Sequence, residues 1–448
     1  MSATTPGEAP TKRRPHLLYV AWGYPPSRGA GMYRALATAN AFASDGWDVT
    51  VLTATCETFE TLTGTDPDAE ERIDPRITVV RVPFDLARGE ADLSKWSRAR
   101  VASPLWWSFT TAWRERRSFP ENIYGGWFPA LVESAEQVHR ENPVSLVIGS
   151  ANPNVDFAPG DRLHRRFGVP YVMDYRDSWH LNFYTGNRIG SPLSRSARLE
   201  RRMLRNAREA WFVNEPIRDW HARQYPEGAE RYFVVANGYD PEFLELPRTR
   251  DRNADDGLVF GYLGTVYGPM PLRETLEGWR LARERSDLIA RSSLIIRGRL
   301  GHFVTEDPAL LRLIDGFKAD GVSFQGPVSK SGVADVYESF DALLLILGKS
   351  KYVTSGKVFE YAATGLPITS LHDPETASTS VLADYPAWFP AVDITPEGIA
   401  RALLATAERA SAMRAADIAE GREWARHLAR DAQLAPRISA LRAEWKQS

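Results

Sequence analysis

Short apolar runs alternate with longer amphipathic or alanine-rich segments along most of the chain. In the first half, the runs that predict strands are residues 16–21, 48–54, 77–82, 145–149, 170–175 and 210–213. The helical segments between them include residues 30–44, 127–141 and 192–208. Strands that alternate with helices in this way are typical of a parallel sheet covered on both faces. Residues 84–120 interrupt the alternation, which predicts an insertion.

A second series of the same kind follows residues 246–256, which are polar and have the composition of a linker. Its predicted strands are residues 258–263, 293–297, 322–324, 342–347 and 366–370, with a helix after each of the first four. The pattern therefore predicts an α/β protein of two doubly wound, Rossmann-like domains. The predicted divisions are a flexible tail (1–14), a first domain (15–246, with an insertion at 85–126), a second domain (257–415) and a C-terminal helix (420–448) that packs back on the first domain.

Composition narrows the class of protein. The chain has 448 residues, enough for two or three domains. Its formal net charge of −2 gives no electrostatic reason to expect nucleic-acid binding. The single cysteine, Cys56, excludes an internal disulfide, and the eight histidines show no ligand spacing, so we expect no metal and no cofactor. Low cysteine content without an apolar leader fits a cytoplasmic protein.

The loop after the first predicted strand is rich in glycine. Ligands of open α/β sheets bind beyond the carboxyl ends of the strands. Gly29 and Gly31 let the backbone approach a ligand, and they lie where a helix begins and its free N–H groups attract anions. Their spacing is not that of a dinucleotide fingerprint. A tight turn explains the same glycines equally well.

A second candidate loop precedes the segment 355–364. Thr354 or Ser355 can cap a helix there, Gly356 leaves its first turn bare, and Lys357 adds a cation beside the exposed N–H groups. This chemistry suits a diphosphate. Glu360 lies one turn further on, on the same face, where it can accept hydrogen bonds from ribose hydroxyls. A capped helix with a surface Lys–Glu pair is the alternative.

Residues 355–368, Ser-Gly-Lys-Val-Phe-Glu-Tyr-Ala-Ala-Thr-Gly-Leu-Pro-Ile, resemble the donor-site helix of the family 4 glycosyltransferases, which have the GT-B fold. Further similar segments follow in the family's order: the glycine-rich loop, residues 174–179, 236–240, 260–264 and 322–328, and the strand after Asp341. The resemblance covers roughly residues 16–390. It implies two Rossmann-like domains that face each other across a cleft.

The resemblance also implies roles for individual residues. Glu360 would hold the ribose, and Lys357 with the backbone of Ser355 and Gly356 would hold the diphosphate. The remaining donor contacts would come from Gly326 to Val328 beside the base and from Gly29 and Gly31 in the opposite domain. Members of the family usually retain the anomeric configuration without a metal. Lys357 would then assist catalysis by stabilising the leaving diphosphate.

Two positions depart from the family pattern. Many relatives carry a glutamate eight residues before Glu360 that binds the donor sugar, whereas this chain has Tyr352. Many also carry cations soon after the first strand of the second domain, whereas residues 264–269 contain none. We expect Arg297 or Arg299, after the next strand, to replace those cations.

The predicted acceptor site lies in the first domain. Asp174, Arg176 and Asp177 follow a strand, and Asp177 can orient the acceptor hydroxyl or act as a base. The alternative is that Arg176 pairs with an aspartate and pins a loop. Asn152 stands near a position where many relatives have a histidine. We therefore predict that Asn152, Asp174 and Arg176 bind the acceptor and that Asp177 takes part in catalysis.

Tryptophan and arginine interleave between residues 96 and 127. This segment can be a flap over the acceptor, a face that touches membrane or a lipid-linked acceptor, or packing at the edge of the domain. Packing or acceptor shaping is favoured, because the segment shows no clean 3.6-residue pattern.

The predicted function is transfer of a sugar from a nucleotide diphosphate sugar to an acceptor hydroxyl with retention of configuration. It would serve glycoconjugate, polysaccharide or natural-product synthesis. The acceptor can be a sugar, a lipid-linked compound or a small molecule, and peripheral contact with the inner membrane face is compatible with the sequence. The alternatives are a nucleotide-sugar epimerase or hydrolase, and a non-catalytic partner subunit that binds nucleotide sugar.

Overall fold

A computed structural model describes residues 14–29, 31–84, 92–244, 257–267, 270–301, 306–329, 332–348 and 350–447. The predicted linker, all of the predicted tail but Arg14, and the first seven residues of the predicted insertion lie outside this set. Within it, the strands are β1 (His16–Val20), β2 (Asp48–Ala54), β3 (Ile77–Val82), β4 (Leu146–Ala151), β5 (Tyr171–Tyr175), β6 (Glu209–Phe212), β7 (Tyr232–Val234), β8 (Val259–Leu263), β9 (Ser293–Arg297), β10 (Val322–Phe324), β11 (Ala342–Ile346), β12 (Ile368–Leu371) and β13 (Trp388–Pro390).

Within the same residues, the helices are α1 (Gly31–Ser44), α2 (Cys56–Leu62), α3 (Arg98–Ala102), α4 (Pro104–Ser118), α5 (Phe128–Glu141), α6 (Ala158–Phe167), α7 (Arg195–Asn206), α8 (Glu215–Gln224), α9 (Leu272–Arg285), α10 (Asp287–Ala290), α11 (Pro308–Asp315), α12 (Val333–Glu338), α13 (Gly356–Thr364), α14 (Ala377–Leu382), α15 (Pro396–Ala412), α16 (Ala415–Ala425) and α17 (Arg430–Gln447). The three helical segments predicted in the first half appear as α1, α5 and α7, with ends that differ by at most three residues. None of the helices in the described ranges is both long and apolar enough to cross a membrane.

The first seven strands form one parallel sheet in the order β3-β2-β1-β4-β5-β6-β7. Alternate residues of β1 point to opposite faces, so Leu18 and Val20 enter one core while Leu17 and Tyr19 enter another. Burial on both faces explains why the strands are continuous apolar runs. The chain order reverses between β1 and β4, which is where a doubly wound sheet opens a ligand crevice.

The second sheet repeats this arrangement in the order β10-β9-β8-β11-β12-β13. Leu344 and Ile346 of β11 enter the core that holds Phe260 of β8, and Leu343 enters the core on the other face. Its crevice opens between β8 and β11, and the chain leaving β11 leads directly into α13. The predicted fold class, two Rossmann-like α/β domains, is therefore confirmed. The short edge strands β7 and β13 lie outside the predicted set.

The last helix returns to the first domain. Leu434, Ile438 and Leu441 of α17 are buried in the core that also contains α1, and Arg437 pairs with Glu209 of β6. The predicted start of this return, residue 420, is wrong because α16 packs on α13 of the second domain. There the Arg422 Nε donates to the carbonyl of Thr364 at 3.0 Å.

The predicted insertion forms α3 and α4, and neither helix buries a single side chain. Trp106 and Trp113 are exposed, so the expectation that this segment packs at the domain edge is wrong for them. That expectation fails because these two side chains lie on the side of α4 that is turned to solvent. Trp127, at the far end of the segment, is fully buried against Phe84.

Candidate active site

A cavity of about 190 Å³ opens at the carboxyl ends of β1 and β4. Four of its lining residues were predicted as site residues: Gly29, Gly31, Asn152 and Arg176. They meet because the loops after β1, β4 and β5 leave the same edge of the sheet beside its point of reversal. Trp22 and Tyr124 also line the cavity and were not among the predicted residues.

Arg176 lies directly over the start of α1. A Cβ atom on Gly31 would come within 1.7 Å of its Nη1 atom, so only glycine leaves room for the guanidinium. A helix N-terminus carries a partial positive charge. The arginine and the helix end together therefore make this cavity suited to an anion.

Asp177 lines a second, neighbouring cavity of about 380 Å³, together with Asn152, Trp179 and His180. Its carboxylate pairs with the Arg176 side chain at 3.1 Å. The Arg176–aspartate pair that the sequence analysis gave as an alternative is therefore present. The Asp177 side chain nevertheless remains 42% exposed. Arg176 therefore lies between the first cavity, which is suited to an anion, and the second cavity, which is polar and open.

Asp174 does not take part in either cavity, so its prediction as an acceptor ligand is wrong. It lies inside β5, is completely buried and pairs with Arg34 of α1 at 2.6 Å. Arg34 also donates to the carbonyls of Val235 and Ala236, at 3.1 Å each. The pair therefore connects α1, β5 and the end of the first domain.

Two carboxylates, one half-buried and one fully buried, hold the loops around the cavities, and the sequence analysis missed both. Glu121 accepts hydrogen bonds from the backbone N–H groups of Asn154 and Val155, at 2.9 and 2.8 Å. Asp156 accepts from the backbone N–H of Trp22 at 2.8 Å. Burial raises the pKa of each carboxyl. Their partners lie 33 or more residues away, so no local pattern could reveal them.

In the second domain, Lys357 occupies a groove made by a glycine. A Cβ atom on Gly264 would lie 1.8 Å from the Lys357 Cε, and Gly264 has φ of +147°. The ammonium donates to the Tyr262 hydroxyl at 3.1 Å and lies 4.9 Å from the centre of that ring. Burial lowers the pKa of Lys357 to about 8. The missing cation after β8 therefore leaves a space that Lys357 itself fills.

The first turn of α13 has the predicted form. The Ser355 hydroxyl accepts from the Lys357 N–H at 3.3 Å and caps the helix. Nothing lies within 4 Å of the position where Gly356 would carry a Cβ atom, so that turn is open. The Glu360 carboxylate accepts from the Tyr337 hydroxyl at 3.0 Å. The cap, the cation and the carboxylate thus lie on one short helix.

The loops after β9 and β10 pass beside this helix. The backbone N–H of Gly264 donates to the carbonyl of Arg297 at 2.8 Å, which places Arg297 next to the Lys357 groove. Its guanidinium donates to Gln325 at 2.8 Å, and Arg299 is exposed. Gly326, with φ of +69°, accepts from the N–H of Gly298, and Val328 follows it. These loops bring the predicted donor residues of the second domain together.

The loop before α13 is anchored in the other domain. Tyr352 is buried in the main core of the first domain. The Asn214 side-chain amide, at the start of α8, donates to the Tyr352 carbonyl and the Thr354 hydroxyl, both at 3.0 Å. Thr354 therefore bonds across the domains and does not cap α13. The aromatic residue that replaces the family's glutamate thus holds the two domains together.

Comparisons with known proteins agree with this geometry. Residues 28–238 match the family model described as a glycosyl transferase 4-like domain. Sucrose-phosphate synthase from Thermosynechococcus elongatus aligns with a TM-score of 0.56 and 17% identity over 97% of this chain and 100% of that chain. A glycosyltransferase from Rickettsia africae ESF-5 gives 0.61 and 10%, over 97% and 100%. Anabaena HepE in complex with UDP-glucose gives 0.57 and 13%, over 96% and 99%. At these identities the structures show the fold. No curated protein matches the sequence.

The two Rossmann-like domains and these structural likenesses show the GT-B fold. Its first domain matches, more narrowly, the glycosyl transferase 4-like domain model over residues 28–238. The resemblance seen in the sequence is therefore confirmed.

Proposed function

We propose that this glycosyltransferase moves a sugar from a nucleotide diphosphate sugar to an acceptor hydroxyl and retains the anomeric configuration. The observation that carries the proposal is Lys357, a partly buried ammonium at the open first turn of α13. Its lowered pKa shows that its surroundings disfavour an isolated charge. A bound diphosphate adds opposite charge beyond that of Glu360, which already raises the pKa of Lys357 but does not outweigh its burial.

The roles of these residues follow from the group on which negative charge develops during the reaction, the leaving diphosphate. The bond between the anomeric carbon and the diphosphate oxygen breaks, and a bond from that carbon to the acceptor oxygen forms. The proton of the acceptor hydroxyl passes to the departing diphosphate. Lys357 and the N–H groups at the start of α13 stabilise this leaving group, while Arg176 and the start of α1 approach it from the first domain. No metal ion enters the proposal.

The remaining residues are assigned by domain, with donor contacts in the second domain and acceptor contacts in the first. Glu360 accepts hydrogen bonds from the ribose, Gly326 and Val328 flank the base, and Arg297 or Arg299 adds positive charge. Asn152 and Asp177 receive the acceptor in the larger cavity, where Asp177 orients its hydroxyl. The donor class is supported by HepE, whose structures contain UDP, glucose or UDP-glucose.

Turnover of a panel of UDP-, GDP-, ADP- and dTDP-sugars tests this function. We expect release of nucleoside diphosphate only when an acceptor is present, and a product whose anomeric configuration matches the donor by NMR. Release without acceptor would indicate a hydrolase, and binding without turnover would indicate a non-catalytic subunit.

Asp177→Asn supplies a matched comparison within the same assay. We expect it to lower kcat by at least about tenfold, because a misplaced acceptor loses the gain from orientation. Asp219→Asn is the control, since Asp219 is also exposed and also pairs with the arginine before it. Equal activity of the two variants would remove Asp177 from the reaction.

A further inference from the structure

Helix α4 carries its apolar side chains on the outside of the molecule. Leu105, Trp106, Phe109 and Trp113 are exposed by 87%, 66%, 63% and 55%. At 3.6 residues per turn, these four positions fall within an arc of about 100°. They form a continuous stripe of large apolar side chains, which we call the α4 stripe.

The opposite side of α4 is less exposed and mostly polar, with Trp107 as its one large apolar side chain. Ser108, Thr111 and Glu115 are only partly accessible, and the Arg195 guanidinium donates to the carbonyls of Arg116 and Arg117 at the end of the helix. A surface helix normally directs its apolar face inward. Proteins rarely expose a large contiguous apolar patch unless it is a site of interaction with a partner or a membrane.

Arginine side chains lie over tryptophan rings of α4 and of the segment before it. The Arg100 guanidinium lies over the rings of Trp96 and Trp107, at 3.8 and 4.8 Å from their centres, and that of Arg117 lies 5.3 Å from the centre of Trp113. Tryptophan and arginine together are the residues that favour the boundary between lipid headgroups and acyl chains. The partner that fits this composition has an anionic surface and an apolar interior.

A basic cavity of about 320 Å³ continues the surface beyond the end of α4. Ser118 to Pro120 form one wall, and the arginines that line it, from α6 and α7, are Arg162, Arg165, Arg195, Arg198 and Arg202. The single acidic residue of this lining, Asp161, pairs with Arg165 and Arg202. The lining therefore carries a net positive charge at the C-terminal end of α4, beyond the α4 stripe.

From this arrangement we propose that the α4 stripe and the basic cavity dock the enzyme on an anionic lipid bilayer. The apolar side chains enter the headgroup region, and the arginines contact lipid phosphates. A second copy of the chain is a poorer occupant, because it would bring two arginine-rich surfaces together. Arg116 and Pro120 also line the cavity of Asp177, so docking holds that cavity near the headgroups. The proposal stands without the assignment of a donor.

Flotation of the full-length protein with lipid vesicles tests the proposal. Vesicles of phosphatidylcholine alone are compared with vesicles made of equal parts of phosphatidylcholine and phosphatidylglycerol. We expect binding to the anionic vesicles, weakened by added salt, and a loss of at least about tenfold in affinity for the triple variant W106S/F109S/W113S. Val392→Ser is the control, because Val392 is an equally exposed apolar residue of the second domain.

A second measurement tests the contact between the α4 stripe and lipid with a variant whose vesicle affinity should not change. Trp106→Phe and Trp113→Phe, made together, keep the stripe apolar, so vesicle affinity should persist while quenching of tryptophan fluorescence by brominated lipid falls. Equal binding to both kinds of vesicle, unchanged binding of the triple variant, or unchanged quenching would overturn the proposal. So would a dimer, seen by light scattering without lipid, that the triple variant separates into monomers.

Discussion

Lys357 depends on its immediate surroundings for both its charge and its position. The groove of Gly264 holds its stem, and the Tyr262 hydroxyl is a neutral partner that leaves the ammonium charge available. Because burial lowers the pKa of Lys357 to about 8, the ammonium is charged at pH 7 and becomes neutral as the pH approaches 9. Its ability to bind an anion should therefore change within an accessible pH range.

Lys357→Met should weaken nucleoside diphosphate binding by at least about tenfold, since a hydrogen bond to a charged group contributes roughly 1.5–3 kcal/mol. In the natural protein, affinity measured by calorimetry should fall between pH 7 and pH 9, and in the variant it should be flat. The thermal midpoint of the variant should not fall, because methionine removes a buried charge. Lys318→Met, at an exposed position, is the control.

Asp174 shows how the same residue type can serve stability instead of binding. Asp174→Asn should leave Arg34 as a buried cation without its counter-charge, which costs about 3 kcal/mol or more of unfolding free energy. Urea denaturation measures this loss, and the folded fraction should retain its KM for the acceptor. A variant of normal stability with a raised acceptor KM would restore Asp174 to the binding site.

The position of Asp174 could not be predicted from its neighbours in sequence. Asp174, Arg176 and Asp177 all occur where a strand ends, and only the register of β5 decides which one points inward. The partner of Asp174 is Arg34, 140 residues away. Local patterns locate the carboxyl edge of a strand, but pairing at such a separation depends on tertiary structure.

At the scale of elements, the loop between β11 and α13 is positioned by the first domain. Asn214→Asp removes the donor to the Tyr352 carbonyl, while its carboxylate can accept from the Thr354 hydroxyl and from the Ile217 N–H at the start of α8. One lost hydrogen bond corresponds to about 0.5–1.5 kcal/mol. We therefore expect the donor KM to rise several-fold with little change in the thermal midpoint, as steady-state kinetics and calorimetry can determine.

Asn214→Ser provides the check on that interpretation. Serine also caps helices but is too short to reach both acceptors, so its kinetics should resemble those of the aspartate variant. A normal donor KM in both variants would show that the anchored loop does not position α13.

Element types were predictable because they depend on local chemistry. Buried parallel strands give continuous apolar runs, and Ser355 with Gly356 marks the start of α13. Helix α4 is the exception, since its segment showed no clean 3.6-residue pattern from which an inward side could be predicted. Its outward apolar face follows from what α4 contacts, which the sequence of the segment does not contain.

At the scale of the whole molecule, the chain crosses between its domains more than once. α17 completes the core beside α1, and Tyr352 enters the main core of the first domain from a loop of the second. The GT-B fold was predictable from alternation and motif order. These crossings were not, because α17 and the Tyr352 loop have ordinary compositions and only their distant partners decide where they pack.

The central claim is that the start of α13 binds a diphosphate. Diffraction from crystals soaked with UDP, GDP, ADP or dTDP tests it most directly. The account predicts that the diphosphate oxygens of the nucleotide that binds lie within hydrogen-bond distance of the Lys357 Nζ and the Gly356 N–H, with the ribose beside Glu360. A nucleotide seated elsewhere, while this turn of α13 holds none, would contradict it.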